Sequence, residues 1–249
     1  MDLELQIAIP TYNRSQDIKT KTLRLLEKFN KTQIKLYVED LDQFEEYRKT
    51  CDYDIIITHT TGIVEKRNYI LKNTKAKYLL MLDDDIQNIK NIDGKNITSD
   101  ELRDLILLGF KTTEDNNCRI WGINGYNNNY FFKDTITTNL KFIIGCFMGI
   151  IIKNNRPILI PDELSVLEDY YLSIKYFIED GKVIRFNQYG IQQKYFTGVG
   201  GLQALYSKEE RIIEQNRCIN YIKNNYPNYC CIVKKKDCLD FRLNHRAKP

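Results

Sequence analysis

Along the first third of the chain, short apolar runs alternate with longer polar stretches that carry apolar residues at helical spacing. The runs at 5–9, 34–38, 54–58 and 78–82 are predicted strands, rich in Ile, Leu and Val. After the first, Pro10-Thr11-Tyr12-Asn13-Arg14-Ser15 is a predicted loop. Ser15 or Asp17 would then cap a helix reaching Phe29, with Leu23, Leu26 and Phe29 on one side. The second strand ends in Glu39-Asp40 and leads to a helix carrying Phe44 and Tyr47. Gly62 opens a third helix, which holds Glu65, Lys66, Arg67 and Asn68. Strand and helix in strict turn predict an α/β fold: a mostly parallel, Rossmann-like sheet with helices on both faces.

Beyond residue 90 the pattern loosens. Thr98 or Ser99 would cap a helix running to about Thr113, with Glu101 in its first turn. Residues 120–123 form a short predicted strand and 124–129 a turn-rich segment. Residues 140–152 read as one or two strands, with Gly145 and Gly149 where another group approaches the backbone closely. A loop at 162–169 enters a helix with Tyr170, Leu172, Ile174 and Phe177, followed by a strand at 182–186. Gly198, Gly200 and Gly201 make a loop, Ser207 caps a helix over 208–224, and a basic tail closes the chain. No linker, repeat or low-complexity tract divides the 249 residues, so a single domain is expected over 1–249.

Composition narrows the class. Hydrophobic residues make up 43% and charged residues 28%, ordinary for a globular domain and too apolar for disorder. Seven cysteines without a CxxC pair argue against a disulfide framework or structural zinc, and for a reducing compartment. The acidic N-terminus is not a secretory leader, and the longest apolar stretch, 142–152, is too short to span a membrane. A cytoplasmic location follows, or a host cytoplasm or nucleus for a viral protein. The net charge of +4 is uneven: residues 185–249 hold twelve Lys or Arg against five Asp or Glu, a local +7. That surplus suits either a polyanionic partner or a solvated lysine face.

The most distinctive chemistry is Asp83-Asp84-Asp85, directly after the apolar run at 78–82. Three like charges at a strand end repel unless a cation offsets them. All-oxygen sites suit Mg²⁺ or Mn²⁺, which commonly bridge a protein carboxylate to substrate phosphates. A solvated acidic turn is the plainer alternative. Neither a Walker-type glycine loop nor a Gly-x-Gly-x-x-Gly turn follows any predicted strand, so side chains and a metal would have to hold a nucleotide.

Pro10-Thr11-Tyr12-Asn13-Arg14, Arg67-Asn68, Leu82-Asp83-Asp84-Asp85-Ile86 and Glu168-Asp169 fall in the order seen in family-A glycosyltransferases, which have the GT-A fold. The chain resembles that superfamily over most of its length. Trp121-Gly122-Ile123 with the Asn-rich turn, Glu168-Asp169-Tyr170, residues 181–187 and Gly200-Gly201 look like the TET/JBP-associated glycosyltransferases, relatives of the base J enzymes. That resemblance implies transfer of a sugar, with UDP-glucose as donor, to a hydroxymethylpyrimidine in DNA; a candidate base carboxylate and no evident nucleophile favour inversion. It implies a donor half over 1–90 and an acceptor half over 91–249 with the basic C-terminal region. Asp85 would ligate Mn²⁺ or Mg²⁺, and Asp83 would contact the donor ribose or sugar, with Asp84 orienting its neighbours. Pro10, Thr11, Tyr12 and Arg14 would lie along the nucleotide and diphosphate, and Asp40 or Glu39 would accept from the uracil.

Arg67 would pair with diphosphate or fix the aspartates. Asp169 would be the catalytic base, supported by Glu168. His245 would be a C-terminal metal or diphosphate ligand. Tyr195, Gly200, Gly201, Lys234, Lys235 and Lys236 would meet the acceptor.

Each assignment has a plainer counterpart. Asp40 and Glu39 suit a helix cap, Arg67 a surface ion pair, and Glu168-Asp169 the dipole of a helix start. His245 could be an inert tail residue, His59 a packed strand end, and Tyr195-Phe196 core. A glycan-building glycosyltransferase, an inert DNA- or sugar-binding module and a nucleotidyltransferase are the competing functions.

Overall fold

The computed structural model describes residues 4–153, 156–193, 207–234 and 239–249. The sites assigned to Tyr195, Gly200, Gly201, Lys235 and Lys236 lie outside those residues, and Lys234 is described in its backbone only. The first four strands form where the apolar runs predict them: β1 (Leu5–Pro10), β2 (Ile34–Val38), β3 (Asp54–Ile57) and β4 (Tyr78–Leu82). They alternate with helices α1 (Asp17–Thr20), α2 (Thr22–Leu25), α3 (Leu41–Thr50) and α4 (Gly62–Asn73). The second half adds β5 (Asn88–Lys90), α5 (Ser99–Asp115), β6 (Ile120–Asn124), β7 (Ile136–Thr137), β8 (Phe147–Ile151), α6 (Glu168–Asp180) and β9 (Ile184–Gln192). Helix α7 (Lys208–Asn225) and a hairpin, β10 (Cys230–Lys234) with β11 (Leu239–Leu243), complete it.

Nine strands form one sheet in the order β3-β2-β1-β4-β8-β6-β9-β5, with β7 also on β9. β1, β2, β3 and β4 are mutually parallel, and β8 runs against both β4 and β6. β6 therefore points the same way as β4, and β9 is parallel to β6. Six of the nine strands share one direction, so their carboxyl ends meet at one edge.

Strand alternation splits the core in two. Leu80 and Leu82 join Ile18, Leu26, Tyr47, Leu105 and Phe110 on the face covered by α1, α2, α3 and α5. Leu79 and Met81 join Ile70, Leu172, Ile219 and Phe241 on the face covered by α4, α6, α7 and the hairpin.

Two expected elements differ in extent. The helix expected to reach Phe29 breaks at Lys21 into α1 and α2, neither with a side-chain cap bond. Its tertiary bonds win: Thr22 turns inward, donates to the Asp83 carbonyl at 2.6 Å and accepts from the Ile86 N–H at 3.0 Å, while Ser15 bonds Glu46. Of the one or two strands expected over 140–152, one forms, and 140–146 leave the sheet to wall the cleft described below. The strand expected at 182–186 extends to Gln192, since β5, β6 and β7 all pair with it. The caps at Thr98 and Ser207 form full capping boxes with Glu101 and Glu210.

Candidate active site

A cleft of about 550 Å³ opens at the carboxyl edge of the sheet. Pro10, Thr11, Tyr12 and Arg14 reach it from the end of β1, Asp83, Asp84 and Asp85 from β4, and Glu168, Asp169 and Tyr170 from the start of α6. Segments distant in sequence converge there because parallel strands deliver their carboxyl ends together.

The aspartates are held by opposite charge and by donors. Asp84 is buried; its Oδ1 accepts from Arg14 Nη1 at 2.6 Å and its Oδ2 from Thr11 Oγ1 at 2.6 Å. The same Arg14 nitrogen donates to Asp85 Oδ2 at 2.7 Å, and Gln193 Nε2 donates to Asp85 Oδ1. Asp83 Oδ1 accepts from Arg67 Nη2 at 3.0 Å. Burial, then the charges of Asp83 and Asp84, push the Asp85 carboxyl up to about 6. One guanidinium thus bridges two carboxylates whose charge it only partly offsets.

Arg67 is 2% exposed and ties the triplet to α6: its other terminal nitrogen bonds Glu168 Oε1. A Cβ at Gly145 would overlap that guanidinium, so a glycine is required where the 140–146 segment crosses it. Burial draws Arg67 down, but Glu168, Asp83 and Asp169 outweigh it and hold the guanidinium above its ordinary value. Asp169 faces the cleft. Its Oδ2 accepts from the Gly145 N–H at 3.1 Å and its Oδ1 from the Tyr170 N–H at 2.9 Å. Burial, then Glu168, raises its carboxyl well above the usual carboxylate range. A carboxylate poised that way suits a proton acceptor near neutral pH.

Some predicted residues sit elsewhere. Asp40 caps α3 through the Gln43 N–H at 2.9 Å and does not line the cleft; its neighbour Glu39 does. The helix start needs an acceptor, and Asp40 supplies it. His245 is also outside the cleft lining: its Nδ1 lies 2.8 Å from the Leu140 carbonyl oxygen, with Lys141 and Arg185 nearby, surroundings that repel a cation. His59 is exposed at the end of β3, where its N–H bonds the Glu39 carbonyl at 2.8 Å.

Residues not singled out also enter. Lys66 is buried, donates to the Thr11 carbonyl at 3.0 Å and lies over the Tyr12 ring. Burial lowers its pKa while Glu39 and Asp84 oppose that. Gln193 reaches Asp85 from the end of β9, and Arg211 and Gln215 come from α7. Leu167 carries φ 63° just before Glu168, and Asn13 carries φ 55° just after Tyr12. Left-handed backbone at non-glycine residues costs energy and concentrates at functional sites. Sequence offered only the Asn13 signal, since Asn tolerates that region.

Among the described residues no group of three His, Cys, Asp or Glu side chains forms a metal cage of its own. No described helix is long and apolar enough to cross a membrane.

No family model and no curated protein matches the sequence. Solved structures do match, among them a mannosyltransferase and structures solved with nucleotide sugars. A mannosyltransferase from Pyrobaculum calidifontis, in complex with GDP-Man and Mn²⁺, superposes with TM-score 0.62 at 12% identity, over 89% of this chain and 64% of that one. S. aureus TarS 1-349 with UDP-GlcNAc gives TM-score 0.57 at 18% identity, over 89% and 67%. Glucosyl-3-phosphoglycerate synthase from Mycobacterium tuberculosis, with Mn²⁺, UDP and phosphoglyceric acid, gives 0.57 at 8% identity, over 97% and 86%. The chain spans 60–67% of the TarS 1-349 structures and 40% of the longer TarS structure. The protein is thus a single α/β domain with the GT-A fold.

Proposed function

We propose that this protein is a metal-dependent glycosyltransferase that moves a sugar from a nucleotide donor to a hydroxyl acceptor. One observation carries the proposal: an acidic triplet and a separate raised carboxyl, Asp169, face one cleft on this fold and are joined through Arg67. The oxygen-only donor set fits Mn²⁺ or Mg²⁺, and Arg14 already stands as a cation between Asp84 and Asp85. Asp85 would hold the ion, with Asp83 beside it toward the donor ribose or sugar, and the ion would offset the charge of the leaving diphosphate.

Residues 1–90 form the donor half. Thr11, Tyr12 and Glu39 line the nucleotide end, and Arg14 and Lys66 supply positive charge for the diphosphate once Arg14 leaves the carboxylates. Asp169 takes the proton of the acceptor hydroxyl, and the freed oxygen attacks the anomeric carbon from the face opposite the nucleotide, inverting it. Glu168 holds Arg67, which in turn holds Asp83.

The donor we favour is UDP-glucose, and the acceptor a hydroxymethylpyrimidine in DNA met by the half over 91–249. The resemblance in the Asn-rich turn and around Glu168 supports this, as does the local +7 of residues 185–249. A base in a duplex would have to be flipped out to reach Asp169. The test is a screen of UDP-sugars against hydroxymethylated DNA, plain DNA and free oligosaccharides. Transfer to hydroxymethylated DNA alone, weakening steeply with salt, is expected. Transfer to oligosaccharides with none to DNA would replace the DNA acceptor by a glycan, and pyrophosphate in place of UDP would make the protein a nucleotidyltransferase.

A further inference from the structure

A second charged cluster lies outside the cleft, on the face that carries α6 and the hairpin. Ile184 and Phe186 of β9 turn toward Trp121, so alternation sends Arg185 to the opposite face. Its Nε donates to Asn187 Oδ1 at 2.8 Å. Lys141 precedes Phe142, which stacks on Tyr170 at 4.2 Å and walls the cleft. His245 reaches back from the C-terminal tail: besides its contact with Leu140, its carbonyl accepts from Asn139 Nδ2 at 2.9 Å. Lys133 enters from the loop before β7, where its N–H bonds the Asn187 carbonyl at 3.1 Å.

These cations are close enough to act on one another. Lys141 is drawn down by burial and then by Arg185 and Lys133; His245 is drawn down by burial and by Lys141 and Arg185. Arg185 is drawn down by burial, and only the Tyr126 phenol opposes that. Among the described residues, no carboxylate forms an ion pair with Arg185, Lys141, Lys133 or His245. Elsewhere the buried guanidiniums have partners: Arg14 has Asp84 and Asp85, Arg67 has Asp83 and Glu168, and Arg119 has Glu179 and Asp180. Arg185 and Lys141 are part-buried while Lys133 and His245 are exposed, and a part-buried cation without a counter-charge is costly unless an anion completes the site.

We propose that Arg185, Lys141, His245 and Lys133 form a subsite for a phosphate group. An arginine fork with two flexible ammonium groups fits the several oxygens of a phosphate better than the two of a carboxylate. The subsite adjoins the cleft on two sides, through Phe142 and through Gly125-Tyr126. A phosphate held there therefore belongs to the acceptor rather than to the donor, whose diphosphate is met by Arg14 and Lys66. That assignment to the acceptor rests on the function proposed above; the anion site itself does not.

The chain has two histidines, His59 and His245, so ring resonances report the site directly. The full chain, labelled at histidine and free of metal and donor, is titrated at constant ionic strength with inorganic phosphate, with the dinucleoside phosphodiester dTpdT and with acetate. The His245 resonance is expected to shift saturably with phosphate or the phosphodiester, while His59 stays and acetate at equal concentration leaves both in place. Tighter binding of the phosphodiester would assign the site to a polymer backbone, tighter binding of inorganic phosphate to a monoester. Arg185→Gln should weaken binding by about tenfold or more, the scale of one charge-assisted bond. Lys141→Gln, in a segment outside the sheet, should weaken it in the same direction even if the first variant disturbs β9. No saturable shift of His245, or equal affinity in both folded variants, would overturn the site. Because no donor is present, that failure would leave UDP release by the wild-type protein untouched. Absence of UDP release with phosphate binding intact would remove the glycosyltransferase assignment alone.

Discussion

In the proposed function Asp169 and Asp85 would carry the chemistry at the scale of single residues, and their environments set them apart. Asp169→Asn keeps the shape but can accept from only one of the two backbone N–H groups, of Gly145 and Tyr170, and cannot take a proton. Transfer should slow by about a hundredfold or more, with donor affinity nearly unchanged by calorimetry. Unfolding, or an unchanged rate, would make Asp169 a structural helix-start residue. Asp85 is 7% exposed and titrates near 6, against about 4 for an ordinary carboxylate. The folded protein therefore binds this proton more tightly than the unfolded chain, so Asp85 costs stability as pH rises from about 4 to 6 and imposes the full cost above that. In metal-free protein, Asp85→Asn should raise Tm at pH 7, and the gain should vanish near pH 4. A gain that grows toward low pH would contradict the burial of that charge. Arg14→Gln removes the internal cation and should lower Tm in the absence of metal while enlarging the Tm rise caused by Mn²⁺. The aspartate triplet and Glu168-Asp169 are legible in sequence because charge clusters directly after an apolar run or at a helix start are local signals. Lys66, Gln193 and Arg211 are not, because only tertiary folding brings them to the cleft. Asp40 shows the converse: a local demand for a helix cap took the residue away.

The elements hold that geometry through close backbone approaches. Trp121 of β6 is fully buried, with Phe110, Phe147 and Phe186 edge-on at 5.5, 5.5 and 5.8 Å. Its indole fills the space where a Cβ would stand at Gly109 of α5 and Gly149 of β8. Gly149→Ala should therefore destabilise the protein by roughly 1–3 kcal/mol through overpacking, seen as a lower urea midpoint at unchanged slope. An unshifted midpoint would mean that the Trp121 pocket yields freely. The parallel half of the sheet is readable from four apolar runs and their caps. The short strands β5 and β7 are not, since two or three residues give no period to detect. The break between α1 and α2 is hidden for a different reason: the Thr22 hydroxyl serves the aspartate turn, a partner far away in sequence.

In the whole molecule, six strands of one direction bring the residues after β1, the acidic triplet and Asp169 to one edge, while the cations of β9, residues 133 and 141 and the tail gather beside it. The basic C-terminal quarter would add affinity for a polyanion that falls steeply with salt, and an acceptor affinity independent of salt would remove DNA from the account. In the proposed function the aspartate cleft uses a divalent cation to release a nucleotide diphosphate from a nucleotide sugar. The most direct measurement is UDP released from UDP-glucose with Mn²⁺, with Mn²⁺ and excess EDTA, and by Asp85→Asn with Mn²⁺. UDP is expected only in the first case. Equal release after exhaustive chelation, or by folded Asp85→Asn, would contradict that function.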